Sequence, residues 1–251
     1  MRPILESRST QTSPASIPDP ADIQYGRAMT LIAEDLLLLL LDDEGGTLPS
    51  GLAVKEVLGG AVLVELAMLE AVEVRKAGSW GRSKVYATGR AAPEDPELRD
   101  ALARVEEKDR TAQDLVGRLG RGLKERLTDR LAERGILERR DGRVLGVFPH
   151  TTWPAADTAH EGEVRRALTA ALVQGFTPDD RTAALIALLH AVDRAHKTVD
   201  SQGLGSRAVK KRAKEIAEGD WAAKAVRDAV QASQAAMVAV IAGGAAAAGS
   251  S

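Results

Sequence analysis

Few residues in this chain of 251 are arranged for chemistry. Four histidines stand at 150, 160, 190 and 196. No two are four residues apart, the spacing that sets two imidazoles on one helix face around zinc. His190, inside ALIALLHAVD, reads as a core or helix-end residue. The chain has no cysteine, which excludes disulfides, thiolate nucleophiles and Cys-based zinc sites. Neither a nucleophile-elbow serine nor a phosphate loop ending in Gly-Lys-Ser/Thr occurs. GSWGRSK (Gly78 to Lys84) has glycines and cations fit to touch a phosphate, but its spacing matches no nucleotide loop and it reads as a turn. The pairs Asp42-Asp43 and Asp179-Asp180 fall at helix boundaries, where capping accounts for them. The pattern is not that of an enzyme, and it implies no cofactor and no metal.

The remaining chemistry is cationic. Arg118, Arg121 and Lys124 are three apart, so on a helix they form an outward row, with Arg121 nearly opposite Leu123. Arg139, Arg140 and Arg143 crowd a hairpin turn. Arg75, Lys76, Arg82 and Lys84 gather near Trp80. Each group also reads as a solvated face balanced by nearby acids. As functional surfaces they fit two roles. A peripheral protein would set them against anionic lipid, gaining about 1 kcal/mol per Lys or Arg. A winged-helix protein would place the helix before the hairpin in the DNA major groove. The glycines of GRLGRG weaken the start of that helix, and a formal charge of −2 lacks the basic footprint of a small DNA-binding domain. Nucleic acid is therefore not the expected partner. An adaptor that binds only other proteins is the third reading.

These side chains must be held by helices. With 44% hydrophobic but only 3% aromatic residues, the core is built from Leu, Val and Ala, which favours helix. The block Leu36 to Leu41 is too short to span a bilayer, which takes about 20 apolar residues. Acids fence it: Glu34 and Asp35 before, Asp42, Asp43 and Glu44 after. It reads as one buried helix capped by Thr30 and stopped by Gly45-Gly46. Ser50 to Val74 reads as two helical pieces, with Glu65 facing a partner or a helix end. SKVYATG reads as a strand and APEDPELRDALARVEE as a Pro-started helix. Leu115, Leu119, Leu123, Leu127 and Leu131 recur every four residues and predict one striped helix ended by Gly135. Asp141-Gly142 then predicts a two-residue hairpin turn. WPAADTAHEGEVRRALTAALVQG opens another helix. Thr177 and Pro178 open the one after it, and a last helix runs from Trp221 to about Ile241. Residues 1–27 read as a disordered leader without a secretion signal and 242–251 as a low-complexity tail. The expectation is mainly α: one domain, 28–241, with a hydrophobic central helix among amphipathic ones and a protruding β-hairpin.

The order MTLIAEDLLLLLLDDEGG, VLGGAVLVELAM, KVYATG, DPELRDALARV, GLKERLTDRLAERGIL and GRVLGVFPHTTWP resembles the Golgi phosphoprotein 3 family, from about Met29 to Val240. The resemblance implies a non-catalytic protein of the cytoplasm, peripheral on membranes. It also implies binding of phosphatidylinositol 4-phosphate and an adaptor role that holds glycosyltransferases by their cytoplasmic tails. The implied phosphate pocket uses a Trp and an Arg before the LVELAM helix and two cations from the helix before the hairpin. Those positions fall on Ser50, Gly59, Arg121 and Lys124, so the last two are the expected headgroup ligands and the aromatic platform is missing. The resemblance also assigns membrane association or self-association to the hairpin, here through Arg139, Arg140 and Arg143. Protein clients are implied but not identified.

Overall fold

Twelve successive residues, Glu56 to Ala67, are buried on every side of one helix, and six other helices pack around it. The computed structural model describes residues 30–42, 45–76, 83–144, 148–219 and 224–248. In chain order the elements are α1 (Ile32–Leu40), α2 (Val54–Met68), β1 (Val72–Lys76), β2 (Ser83–Ala87), α3 (Pro96–Glu106), β3 (Arg110–Thr111), α4 (Ala112–Leu119), α5 (Leu123–Glu133), β4 (Arg140–Val144), β5 (Phe148–Thr152), α6 (Ala159–Leu172) and α7 (Asp180–Ala191). A 3-10 turn (Ala195–Lys197), α8 (Ser206–Glu218) and α9 (Lys224–Ala248) complete them. The segment 31–251 forms one compact unit. The leader and GSWGRSK up to Arg82 lie outside the described residues.

The buried helix is α2, packed against α1, α3, α4, α5, α7 and α9. The architecture is mainly α, as the composition predicts. Helix α1 is also buried throughout, which places the leucine block in the interior. Among the described residues no helix is long and apolar enough to cross a membrane. The surrounding helices are amphipathic: α3 buries only Leu98, Ala101 and Val105, and α8 only Val209, Ala213, Ile216 and Ala217.

Several local expectations are corrected. The N-cap of α1 is Leu31, not Thr30, and the helix ends at Leu40, ahead of the glycines meant to stop it. The second piece of 50–74 is helical only to Met68. Val72–Lys76 is a strand that pairs antiparallel with β2, and β2 pairs in turn with β3. Asp179, not Thr177, caps α7 by accepting the Thr182 N–H at 2.7 Å. The leucine-striped segment is two helices, although all five leucines are buried. Gly122, at φ +65°, turns the chain between α4 and α5. The hairpin exists, but Asp141 and Gly142 lie within β4, opposite Thr151 and His150. The turn is not at Asp141-Gly142, because the pairing continues to Val144 and Phe148.

The acids expected to fence the leucine block are inside the protein. Glu34 and Asp35, in the first turn of α1, are almost fully buried. Glu34 accepts the Leu31 N–H at 2.7 Å and pairs with Arg130 at 3.0 Å and Arg134 at 3.2 Å. Asp35 meets His160 at 2.7 Å and Arg181 at 2.7 Å. Glu65 finds both a helix end and a partner: the Ile32 N–H at 2.8 Å and, less closely, Arg181 at 3.5 Å. Burial alone would raise Asp35, but the hydrogen bond from His160 and the charge and bonds of Arg181 hold its carboxyl below the usual range. Glu65 has the weaker claim on Arg181, so burial pushes its carboxyl up to about 7. This network ties α1, α2, α5, α6 and α7 together at the buried end of α1.

Candidate anion-binding surface

The turn between α4 and α5 is positioned by two glycines. A Cβ on Gly59 of α2 would stand 2.1 Å from the Val116 carbonyl oxygen, and one on Gly120 would stand 1.7 Å from the Lys55 carbonyl oxygen. Backbone therefore meets backbone where α2 and α4 cross, and neither position has room for a side chain. Gly59 is the position where the resemblance expects a cation, and α4 occupies the space that such a side chain would need. Ser50, at the Trp position, is exposed in a turn.

With α4 seated this way, Arg121 projects into a cavity of about 270 Å³ lined by Arg104, Glu107, Arg110, Arg118 and Arg121. Each arginine is held differently. Arg104, from the last turn of α3, donates to the Arg118 carbonyl at 3.2 Å. Arg118 forms a fork onto Asp114, with Nε 3.0 Å from both oxygens. Arg110, its side chain only 15% exposed, reaches Glu107 at 3.3 Å and Asp114 at 3.8 Å. The buried Nε of Arg110 has no hydrogen-bond partner among the described residues. Arg121 is exposed and forms no ion pair among them; its main-chain carbonyl accepts from Arg126 at 3.2 Å. Four cations thus face two carboxylates, Glu107 and Asp114.

Lys124 lines a different cavity. That space, about 520 Å³, lies against the base of the hairpin and includes Arg139, His150 and Trp153 together with Glu125 and Asp129. Its charge is mixed. The sequence row Arg118, Arg121, Lys124 is broken by Gly120 and Gly122, so Arg121 joins Arg104 and Arg110 while Lys124 joins the hairpin. Sequence reasoning missed Arg104 and Arg110. Arg110 sits in EEKDRT among acids and carries no periodic signal; only the pairing of β3 with β2 brings it to the cavity.

The hairpin cations are largely matched by their own neighbours. Arg139 bonds Asp141 at 3.2 Å and lies over the Trp153 ring, 5.7 Å from its centroid. Arg140 bonds Glu138 at 2.8 Å, and that bond and charge hold the Glu138 carboxyl below its usual range. Arg143, opposite Pro149, forms no ion pair among the described residues. Nearer the chain start, Arg75 pairs with Glu73 and lies 5.7 Å from the Tyr86 ring centroid. No group of three or more His, Asp or Glu among the described residues is arranged to hold a metal ion.

A mainly helical domain with a buried central helix, a two-stranded hairpin and an arginine-lined surface cavity is the class of fold that the chain presents. The family model of Golgi phosphoprotein 3 (GPP34) matches residues 32–233, and the chain belongs to that family. No match to a curated protein was found.

Proposed function

We propose that the protein is a non-catalytic adaptor that associates peripherally with anionic membrane surfaces, using the arginine cavity as its phosphate contact. One observation carries the reading: Arg121 is exposed, lines an opening with Arg104, Arg110 and Arg118, and forms no ion pair among the described residues. Guanidinium groups bind phosphate through paired N–H donors. The family's phosphatidylinositol 4-phosphate role supports a phosphate ligand. Without the Trp and with Gly59 in place of a cation, the cavity favours anionic phospholipid as a class over that one headgroup. Lys124, with Arg139 beside it, adds attraction at the hairpin base and does not complete the same pocket.

Duplex DNA is less well served. On α5, which would be the recognition helix, Arg126 pairs with Glu97 at 2.8 Å and Arg130 with Asp95 at 2.6 Å. Sedimentation with phosphatidylglycerol and phosphatidylcholine vesicles at low salt tests the proposal. Binding should require the anionic lipid. R110Q/R121Q, losing about 1 kcal/mol per cation, should weaken it roughly tenfold to thirtyfold. Equal binding of that variant and the native chain overturns the site. A mobility shift with random duplex, together with indifference to phosphatidylglycerol, would favour the DNA reading.

A further inference from the structure

A third cavity shares no residue with the arginine site, although Leu41, Thr47 and Leu48 also border the space beside Lys124. It lies beyond the C-terminal end of α1, between the segment 47–49, α6 and the 3-10 turn that follows α7, and encloses about 290 Å³. Part of the lining is apolar: Leu39, Leu40 and Leu41 of the leucine block, with Leu48 and Pro49. The lining also holds three cations: Arg165, Arg194 and Lys197.

The three cations are not equivalent. Arg165 is fixed, with Glu161 at 2.6 Å and the Thr198 carbonyl at 3.0 Å. Its role is to hold the wall. Arg194 and Lys197 form no ion pair among the described residues. The nearest acid on their own turn, Asp193, is taken by Lys210 of α8 at 2.8 Å. Asp42, the acid that lines the cavity, is turned to its own loop, accepting the Gly45 N–H at 2.8 Å. A leucine floor thus stands beside two cations that form no ion pair among the described residues, with Asp42 in the lining and Asp193 attracting Lys197 from the adjoining turn.

We propose that this cavity binds an anionic amphiphile: a phosphate group received by Arg194 and Lys197, carried on a short aliphatic segment laid against Leu41, Leu48 and Pro49. A planar guanidinium beside a compact ammonium suits a phosphate, the one by paired donors and the other by point charge. Alkyl carbon removed from water onto the leucines adds a driving force that a free inorganic ion lacks. The volume sits at the low end for small-molecule sites, enough for a headgroup and the first part of a chain, not for a whole diacyl lipid. The site stands independently of the arginine cavity.

The test titrates the full chain with octyl phosphate below its micelle concentration, by calorimetry and by leucine methyl NMR. Inorganic phosphate, octanol and octyltrimethylammonium serve as the other arms. One saturable site for octyl phosphate is expected, with shifts at the Leu48 and Leu41 methyls and each other arm at least tenfold weaker. R194Q/K197Q, two changes at the rim that leave the leucine floor intact, should weaken octyl phosphate at least tenfold. R110Q/R121Q should leave it unchanged. Inorganic phosphate binding as well as octyl phosphate would overturn the amphiphile and leave a plain ion site. Octanol binding as well would overturn the cationic half. Unaltered affinity in R194Q/K197Q, or methyl shifts away from Leu41 and Leu48, would overturn the location. Phosphatidylglycerol sedimentation of the same variants separates the two sites, because losing the arginine cavity weakens vesicle binding without touching the octyl phosphate titration.

Discussion

Replacing Glu65 by Gln removes a titration from the interior without removing a hydrogen-bond acceptor. Glu65 receives the Ile32 N–H at 2.8 Å, and a Gln carbonyl can do the same. Its carboxyl is raised from 4.5 to about 7 by burial. The folded protein therefore holds this proton more tightly than the unfolded chain does. The stability it confers is fully present below pH 4.5 and is lost as pH rises through 7. The linkage is worth about 1.4 kcal/mol per pH unit, an upper bound of about 3.4 kcal/mol across the interval. Because the side chain is 12% exposed and shares Arg181 with Asp35, about 2 kcal/mol is a better expectation. Urea unfolding followed by far-UV circular dichroism at pH 5 and pH 8 gives the difference in stability between native and E65Q at each pH. That difference should move against the native chain by about 2 kcal/mol between the two, while every other titrating group cancels. A difference that stays constant with pH would refute the assignment of the proton to Glu65.

Other consequences are more local. Gly120→Ala places a Cβ 1.7 Å from the Lys55 carbonyl oxygen and should cost about 3 kcal/mol by overpacking, lowering Tm by roughly 6 to 12 °C in a scanning calorimeter. Asp95 caps α3 through the Glu97 N–H at 2.9 Å and also holds Arg130. Asp95→Ala should lose about 2 kcal/mol in urea unfolding, and Asp95→Asn, which keeps the cap, about half of that. Since Arg139 and Arg140 are already paired with acids, Arg143→Ser alone should reproduce most of the loss of phosphatidylglycerol binding seen when all three become Ser.

What could be read from the sequence was whatever local pattern dictates. Fixed spacing identified the buried leucines of α4 and α5, a proline was read as opening α3, which starts at Pro96, and Glu65 was read as facing a partner or a helix end. Burial of the leucine block followed from length alone. Long-range geometry was illegible. Glu34 and Asp35 look like ordinary helix-boundary acids, and their partners lie about a hundred residues or more away, at Arg134, His160 and Arg181. The hairpin turn was misplaced because Asp-Gly is the strongest short-range turn signal, yet pairing from Arg140 with Thr152 through to Val144 with Phe148 overrides it. The candidate site was half visible. Arg121 stood out by spacing, while Arg104, Arg110, Arg194 and Lys197 are brought to their cavities by chain crossings that no periodicity encodes.

The glycine at position 59 sharpens the difference between a missing ligand and a changed architecture. If this chain were a family pocket that had merely lost one cation, Gly59→Arg would restore it and raise affinity for phosphatidylinositol 4-phosphate. The geometry argues otherwise. The first carbon of any side chain there lies 2.1 Å from the Val116 oxygen and 2.8 Å from the Gly120 nitrogen, both rigid backbone. An arginine can enter only if α4 moves off α2, and α4 carries Arg118 and leads directly to Arg121. G59R should therefore lower Tm and weaken binding to phosphatidylglycerol, with no gain for the phosphoinositide. A stable G59R protein that gained phosphoinositide selectivity would show that α4 yields at little cost, and the claim that close packing displaced the pocket would fall with it.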